Sequence, residues 1–119
     1  MSDEMFQVMT AATQAFAEVL IEEIQQEETA IRAALQRLDE LELAGAAPEA
    51  RLDAALAVMA LPLNSRLRDE DERRAMIPEF AASLLRICPS EDVILNRMVE
   101  AYLDEPMGSE LARAVCEGA

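Results

Sequence analysis

Between Asp3 and Ala44 the chain contains neither glycine nor proline, and across that span its apolar residues return at helical spacing. Phe6, Met9, Phe16, Leu20, Ile24, Ile31, Leu35, Leu38 and Leu41 fall within one broad stripe of a helical wheel. The pattern predicts one long amphipathic helix over about residues 3–44, with Ser2 or Asp3 as its cap and Gly45 as its stop. Strand is excluded here. Such a helix is about 60 Å long, whereas a compact globule of 119 residues has a diameter of roughly 35 Å. It must either kink or take cover from a second polypeptide. From Ala17 onward the series Ala17, Ile21, Ile24, Glu28, Ile31, Leu35, Leu38 also alternates in threes and fours, as in a coiled coil.

The rest of the chain reads as four or five short helices. After the Gly45-Ala46-Ala47 link, Pro48 suits a first helical position, and Leu52, Ala55, Leu56 and Met59 form an apolar face that ends before Pro62. Asn64-Ser65 offers a cap, and the mixed-sign run from Arg68 to Arg74 suggests an exposed helical turn. Pro78 is expected to begin a helix carrying Phe80, Leu84, Leu85 and Cys88. Ser90 is expected to cap another whose Ile94, Leu95, Met98, Ala101 and Tyr102 face inward. Pro106, Gly108 and Ser109 interrupt once more before a last piece around Leu111 and Val115. The fold class is all-α, a helical bundle or coiled-coil-like oligomer. Residues 1–119 form one domain, with the long helix followed by a short-helix subdomain over 48–118.

Charge narrows the partners. The chain carries 24 acidic and 10 basic residues, a net −14, and every basic residue is Arg; there is no His. Residues 1–44 hold ten acids against two Arg, a balance of −8. Nucleic-acid binding draws most of its affinity from cations that neutralise phosphates, so direct contact with DNA or RNA is not expected, nor is an anionic membrane surface. A basic protein is the favoured partner, because a negative field raises its encounter rate. The absence of Lys fits a coding bias toward Arg. Cys88 and Cys116 show no metal-ligand or CxxC spacing and are expected as buried thiols in a reducing compartment. Met-Ser-Asp-Glu lacks a basic leader region and no apolar run reaches membrane length, so a cytoplasmic protein is expected.

The densest constellation is Glu18, Glu22, Glu23, Glu27 and Glu28, with no basic residue before Arg32. On the wheel Glu18 and Glu22 lie outside, while Glu27 and Glu28 flank the apolar stripe and need solvent or a cation. Arg73, Arg74 and Arg97 are candidates from within the chain. Read as a site, these carboxylates steer and bond a basic partner while Ile24, Ile31, Leu35 and Leu38 supply apolar anchors. They equally suit the solvated side of an amphipathic helix. A carboxylate-bridged di-iron centre would want Glu-x-x-His pairs that a chain without His cannot supply. A Mg²⁺-dependent nucleotide pyrophosphohydrolase could use Glu22 and Glu23 with Glu100 and Asp104 on a later helix, but no Lys or glycine-rich loop is present for phosphate. Asp69-Glu70-Asp71-Glu72 does not continue as a calcium loop, since Arg74 stands where glycine is required. The cysteines and serines have no His to activate them. The seven Met fit core filling.

The expectation is a non-enzymatic binding protein with no cofactor and no metal, an inhibitor, immunity protein or chaperone for a basic partner, or a mimic of nucleic-acid charge. The first helix serves both recognition and self-association. An oligomeric assembly subunit is the alternative, and the pyrophosphohydrolase the third.

Overall fold

The computed structural model describes residues 3–118, and among them the regular structure is entirely helical, five helices in all. The backbone groups into two units, Met1–Ala30 and Ile31–Ala119, whose boundary falls inside the first helix. That helix, α1, runs from Asp3 to Leu43 without a break. Asp3 and Glu4 stand in its first turn, at the positive end of the helix dipole. The expected cap at Ser2 lies outside the described residues. Gly45 ends the helix with φ +67°, so that Ala46 N–H reaches Leu41 O at 3.0 Å and Gly45 N–H reaches Glu42 O at 3.1 Å. This paired closure occupies two carbonyls left open at the helix end, and the backbone turn it requires suits glycine.

In the unit Ile31–Ala119, α2 (Pro48–Leu63), α3 (Glu70–Ile87), α4 (Glu91–Glu100) and α5 (Met107–Gly118) enclose one core. Leu52, Leu56, Leu63, Leu84, Ile94, Met107, Leu111 and Val115 are fully buried in it. They recur at three- and four-residue intervals, so each helix offers one closed face. α3 packs most extensively against α5, and α2 against α3 and α4. From the last part of α1, Leu38 packs on the same core.

Three boundaries differ from those expected. Pro62 does not end α2 but sits in its last turn, where the missing N–H forfeits a single bond. Pro78 does not begin a helix; it is exposed inside α3, where the carbonyl it leaves open can meet water. The charged run is therefore no isolated turn. Asp69 caps α3 by accepting Glu72 N–H at 2.8 Å, and Glu70 to Arg74 form the opening turns of a long helix. Gly108 and Ser109, expected as breakers, likewise lie within α5.

Candidate interaction surface

α1 contains no buried residue along its whole length. In the unit Met1–Ala30 this leaves the carboxylates Glu18, Glu22, Glu23 and Glu28 exposed, with Glu27 half-buried. The unit holds seven acidic residues and no basic one, which is half of the net charge of −14. Glu22 accepts a weak hydrogen bond from the Gln26 amide at 3.4 Å. Glu18 and Glu22, and likewise Glu23 and Glu27, stand four residues apart on the helix, where like charges repel by a few tenths of a kcal/mol per pair. A cation bound between them would relieve that repulsion.

The Arg residues nominated as internal partners are engaged elsewhere. Arg74 Nε donates to Glu110 at 2.9 and 3.1 Å, and its Nη1 reaches Glu70 at 3.3 Å, joining α3 to α5. The bond to Glu110 raises the Arg74 pKa above its ordinary value, with nearby carboxylates acting in the same direction. Arg97 lies 3.5 Å from Asp53 on α2 and 3.6 Å from Glu100. Arg73 donates to Leu63 O at 3.3 Å and to Asp69 O at 3.4 Å. These cations serve the cohesion of Ile31–Ala119.

The apolar anchors divide. Ile24 in the first unit is exposed, and so is Leu35. Ile31 is half-buried, and Leu38 is drawn onto the core of its own chain. A larger apolar surface was not nominated as a site: Met5, Phe6, Val8, Met9, Phe16, Val19, Leu20 and Ile21 are all exposed, Phe16 at 70% and Phe6 at 64%. The signal for it lies in composition, since Met5 to Ala17 contains no charged residue.

Other candidate chemistry is displaced. Tyr102, expected to face inward, is 92% exposed because α4 has already ended at Glu100 and the helical periodicity no longer governs its direction. The same termination places Asp104 outside α4, so Glu100 and Asp104 share no helix. Among the described residues no group of three or more His, Cys, Asp or Glu is placed to hold a metal ion. Cys116 is exposed and Cys88 half-buried, rather than both buried; Val115 fills the core-facing position next to Cys116. A shallow depression of about 430 Å³ between α2 and α4 is floored by Leu56, Ala57 and Ala60. Its polar rim is self-satisfied: Arg97 serves Asp53 and Glu100, while the Asn64 amide donates to Tyr102 O and accepts Asp104 N–H.

No described helix is long and apolar enough to cross a membrane. Comparisons with protein-family models, curated proteins and solved structures found no match.

Proposed function

We propose that the protein is a non-enzymatic binding protein that recognises a basic protein through the acidic part of α1, as an inhibitor, immunity protein or chaperone does, in the cytoplasm. One observation carries the reading. Glu23 and Glu28 stand exposed to either side of Ile24, with Glu18 and Glu22 exposed on the outer face, in a unit that contains no basic residue, while Arg74 and Arg97 of the other unit pair with carboxylates of that unit. Carboxylates at three- to five-residue spacing on a helix match the reach of Arg side chains on a facing segment, and charge-assisted bonds of this kind set both encounter rate and register. Ile24 provides the desolvated contact that a surface ion pair alone does not supply.

The test uses a labelled Arg-rich helical peptide and the full chain. Fluorescence anisotropy should show binding that weakens as salt rises. Glu23→Lys with Glu28→Lys should abolish it. Glu49→Lys with Glu79→Lys, which changes the net charge equally at exposed positions of α2 and α3, should retain most of it. Equal losses in the two double variants would mean that the peptide follows net charge alone, and the α1 assignment would fall.

A further inference from the structure

The acidic carboxylates begin at Glu18, yet the exposed apolar surface of α1 begins well before them. Met5, Phe6, Met9, Phe16 and Leu20 share one face, and Met5–Ala17 carries no charge on any face. A basic partner finds nothing to pair with there. A lipid surface is disfavoured by the carboxylates that bracket the segment, Asp3 and Glu4 before it and Glu18 after it. A second copy of the same segment meets the first objection, since it brings an equally uncharged apolar face, and Glu4 and Glu18 lie on the opposite side of the helix from that face.

The available area suffices. Phe6 and Phe16 bring rings of about 150–250 Å² each, and with Met5, Met9 and Leu20 they are 38–70% exposed, so one face offers at full coverage on the order of 600 Å². Two such faces bury about 1,200 Å² in total, the lower edge of what stable, specific interfaces use.

Charge then selects the orientation. Glu23 lies at the edge of the apolar face. A parallel, in-register pair would set Glu23 against its counterpart across a helix spacing of about 10 Å, about one Debye length at 0.1 M salt. An antiparallel pair centred near Ala12 keeps the uncharged segments together and separates the two Glu23 residues; each chain's Asp3 and Glu4 then fall level with the partner's Ile21 and Leu20, with Glu4, Glu18 and Glu22 turned away from the seam. Each Glu23 is then some 30 Å from its counterpart along the axis.

We propose that Met5–Leu20 is a self-association face through which two copies of the chain pair antiparallel, setting the two Glu23 residues toward opposite ends. The pairing stands on the apolar face and does not rest on recognition of a basic partner. The two activities carry opposite salt signatures. Two chains of −14 repel, so screening strengthens their pairing, whereas it weakens capture of a cationic peptide.

Sedimentation equilibrium of the full chain at micromolar concentrations should give a dimer whose dissociation constant falls as salt rises. Phe16→Glu should weaken pairing at least tenfold. Ala11→Glu adds the same charge on the opposite face and should leave pairing within about threefold of the unaltered chain, a difference under 1 kcal/mol. Circular dichroism of each variant monitors helicity. Spin labels at Glu23→Cys, with Cys88 and Cys116 replaced by Ser, should report a separation above 30 Å, as about 1.5 Å of rise per residue requires for the antiparallel pair. A monomer throughout the micromolar range, equal loss in Phe16→Glu and Ala11→Glu, or a short label distance would each overturn the proposal. Uptake onto neutral phosphatidylcholine vesicles without self-association would assign the face to lipid instead.

Discussion

Two truncations of large apolar side chains to alanine should differ several-fold in cost. Leu84 on α3 is fully buried in the core of Ile31–Ala119, whereas Phe16 on α1 is 70% exposed. Leu84→Ala loses the transfer free energy of the deleted atoms and leaves a cavity that its neighbours only partly fill, together about 3–4 kcal/mol. For a chain of this size that lowers Tm by roughly 12–16 °C at about 4 °C per kcal/mol. Phe16→Ala removes a ring with less than a third of its surface covered, worth under about 1 kcal/mol. Alanine's higher helix propensity returns about half a kcal/mol of that. Urea unfolding followed by circular dichroism, at dilutions where the chain is monomeric, measures both. A Phe16→Ala cost near that of Leu84→Ala would show that the ring is enclosed by its own chain, and the argument for an available α1 surface would fail. A Leu84→Ala cost below about 1 kcal/mol would contradict close packing of the core.

Asn64 holds the segment after α4 by donating to Tyr102 O and accepting Asp104 N–H at 2.8 Å. Asn64→Ala should cost about 1–2 kcal/mol and speed hydrogen exchange at the Asp104 amide, and Asn64→Asp should restore protection of that amide because the acceptor remains. Gly45→Ala should cost about 1 kcal/mol in thermal unfolding; an added Cβ meets nothing within 4 Å at φ +67°, so the cost is conformational. Gly45→Asn should recover part of it, whereas a neutral alanine variant would show that the turn does not need the left-handed backbone. The Glu91 carboxylate beside Cys116 raises the thiol pKa, and desolvation and the charge of Glu117 act in the same direction. Thiolate therefore forms only at higher pH, so Cys116 should alkylate more slowly than an unstructured cysteine at mildly alkaline pH, and Glu91→Gln should accelerate it. An unchanged alkylation rate in Glu91→Gln would remove that carboxylate as the cause.

α1 was legible because its evidence is local: no breaker from Asp3 onward, a 3.6-residue apolar rhythm, and a glycine where a left-handed residue closes the end. The inward faces of the short helices were legible for the same reason, with Leu52, Leu56, Met59, Ile94, Met98, Leu111 and Val115 buried as their spacing implies. Pro62, Pro78 and Gly108 misled because a breaker's effect depends on the group it leaves unbonded and on tertiary packing, neither of which a one-dimensional pattern contains. Tyr102 was assigned by a periodicity carried beyond the helix end. The destinations of Arg73, Arg74 and Arg97 were invisible in principle, since the Arg74–Glu110 and Arg97–Asp53 pairs join residues far apart in the chain. For the candidate surface, the cluster of carboxylates was readable, but the weight of uncharged apolar surface ahead of it emerged only when its side chains proved exposed.

A helix with no buried residue draws much of its stability from local terms, and in Asp3–Ala30 these are mixed. Ala11, Ala12, Ala15 and Ala17 favour it. The like-charge pairs Glu18/Glu22 and Glu23/Glu27 oppose it. Thr10, Thr13 and Thr29 each donate a hydroxyl to the carbonyl four residues earlier, at 2.9 Å, an arrangement that slightly weakens a helix. Helices held only by propensity are marginal in water, so cover by another chain should add helical order as well as contact. Ellipticity per residue should therefore rise with protein concentration, and rise separately when the Arg-rich peptide is added. Phe16→Glu should remove the first increment and leave the second; Glu23→Lys with Glu28→Lys should remove the second and leave the first. If mass doubles while ellipticity stays constant, the helix is already fully formed before association. Local terms would then hold Asp3–Ala30 without tertiary help, and coupling between ordering and binding would be ruled out.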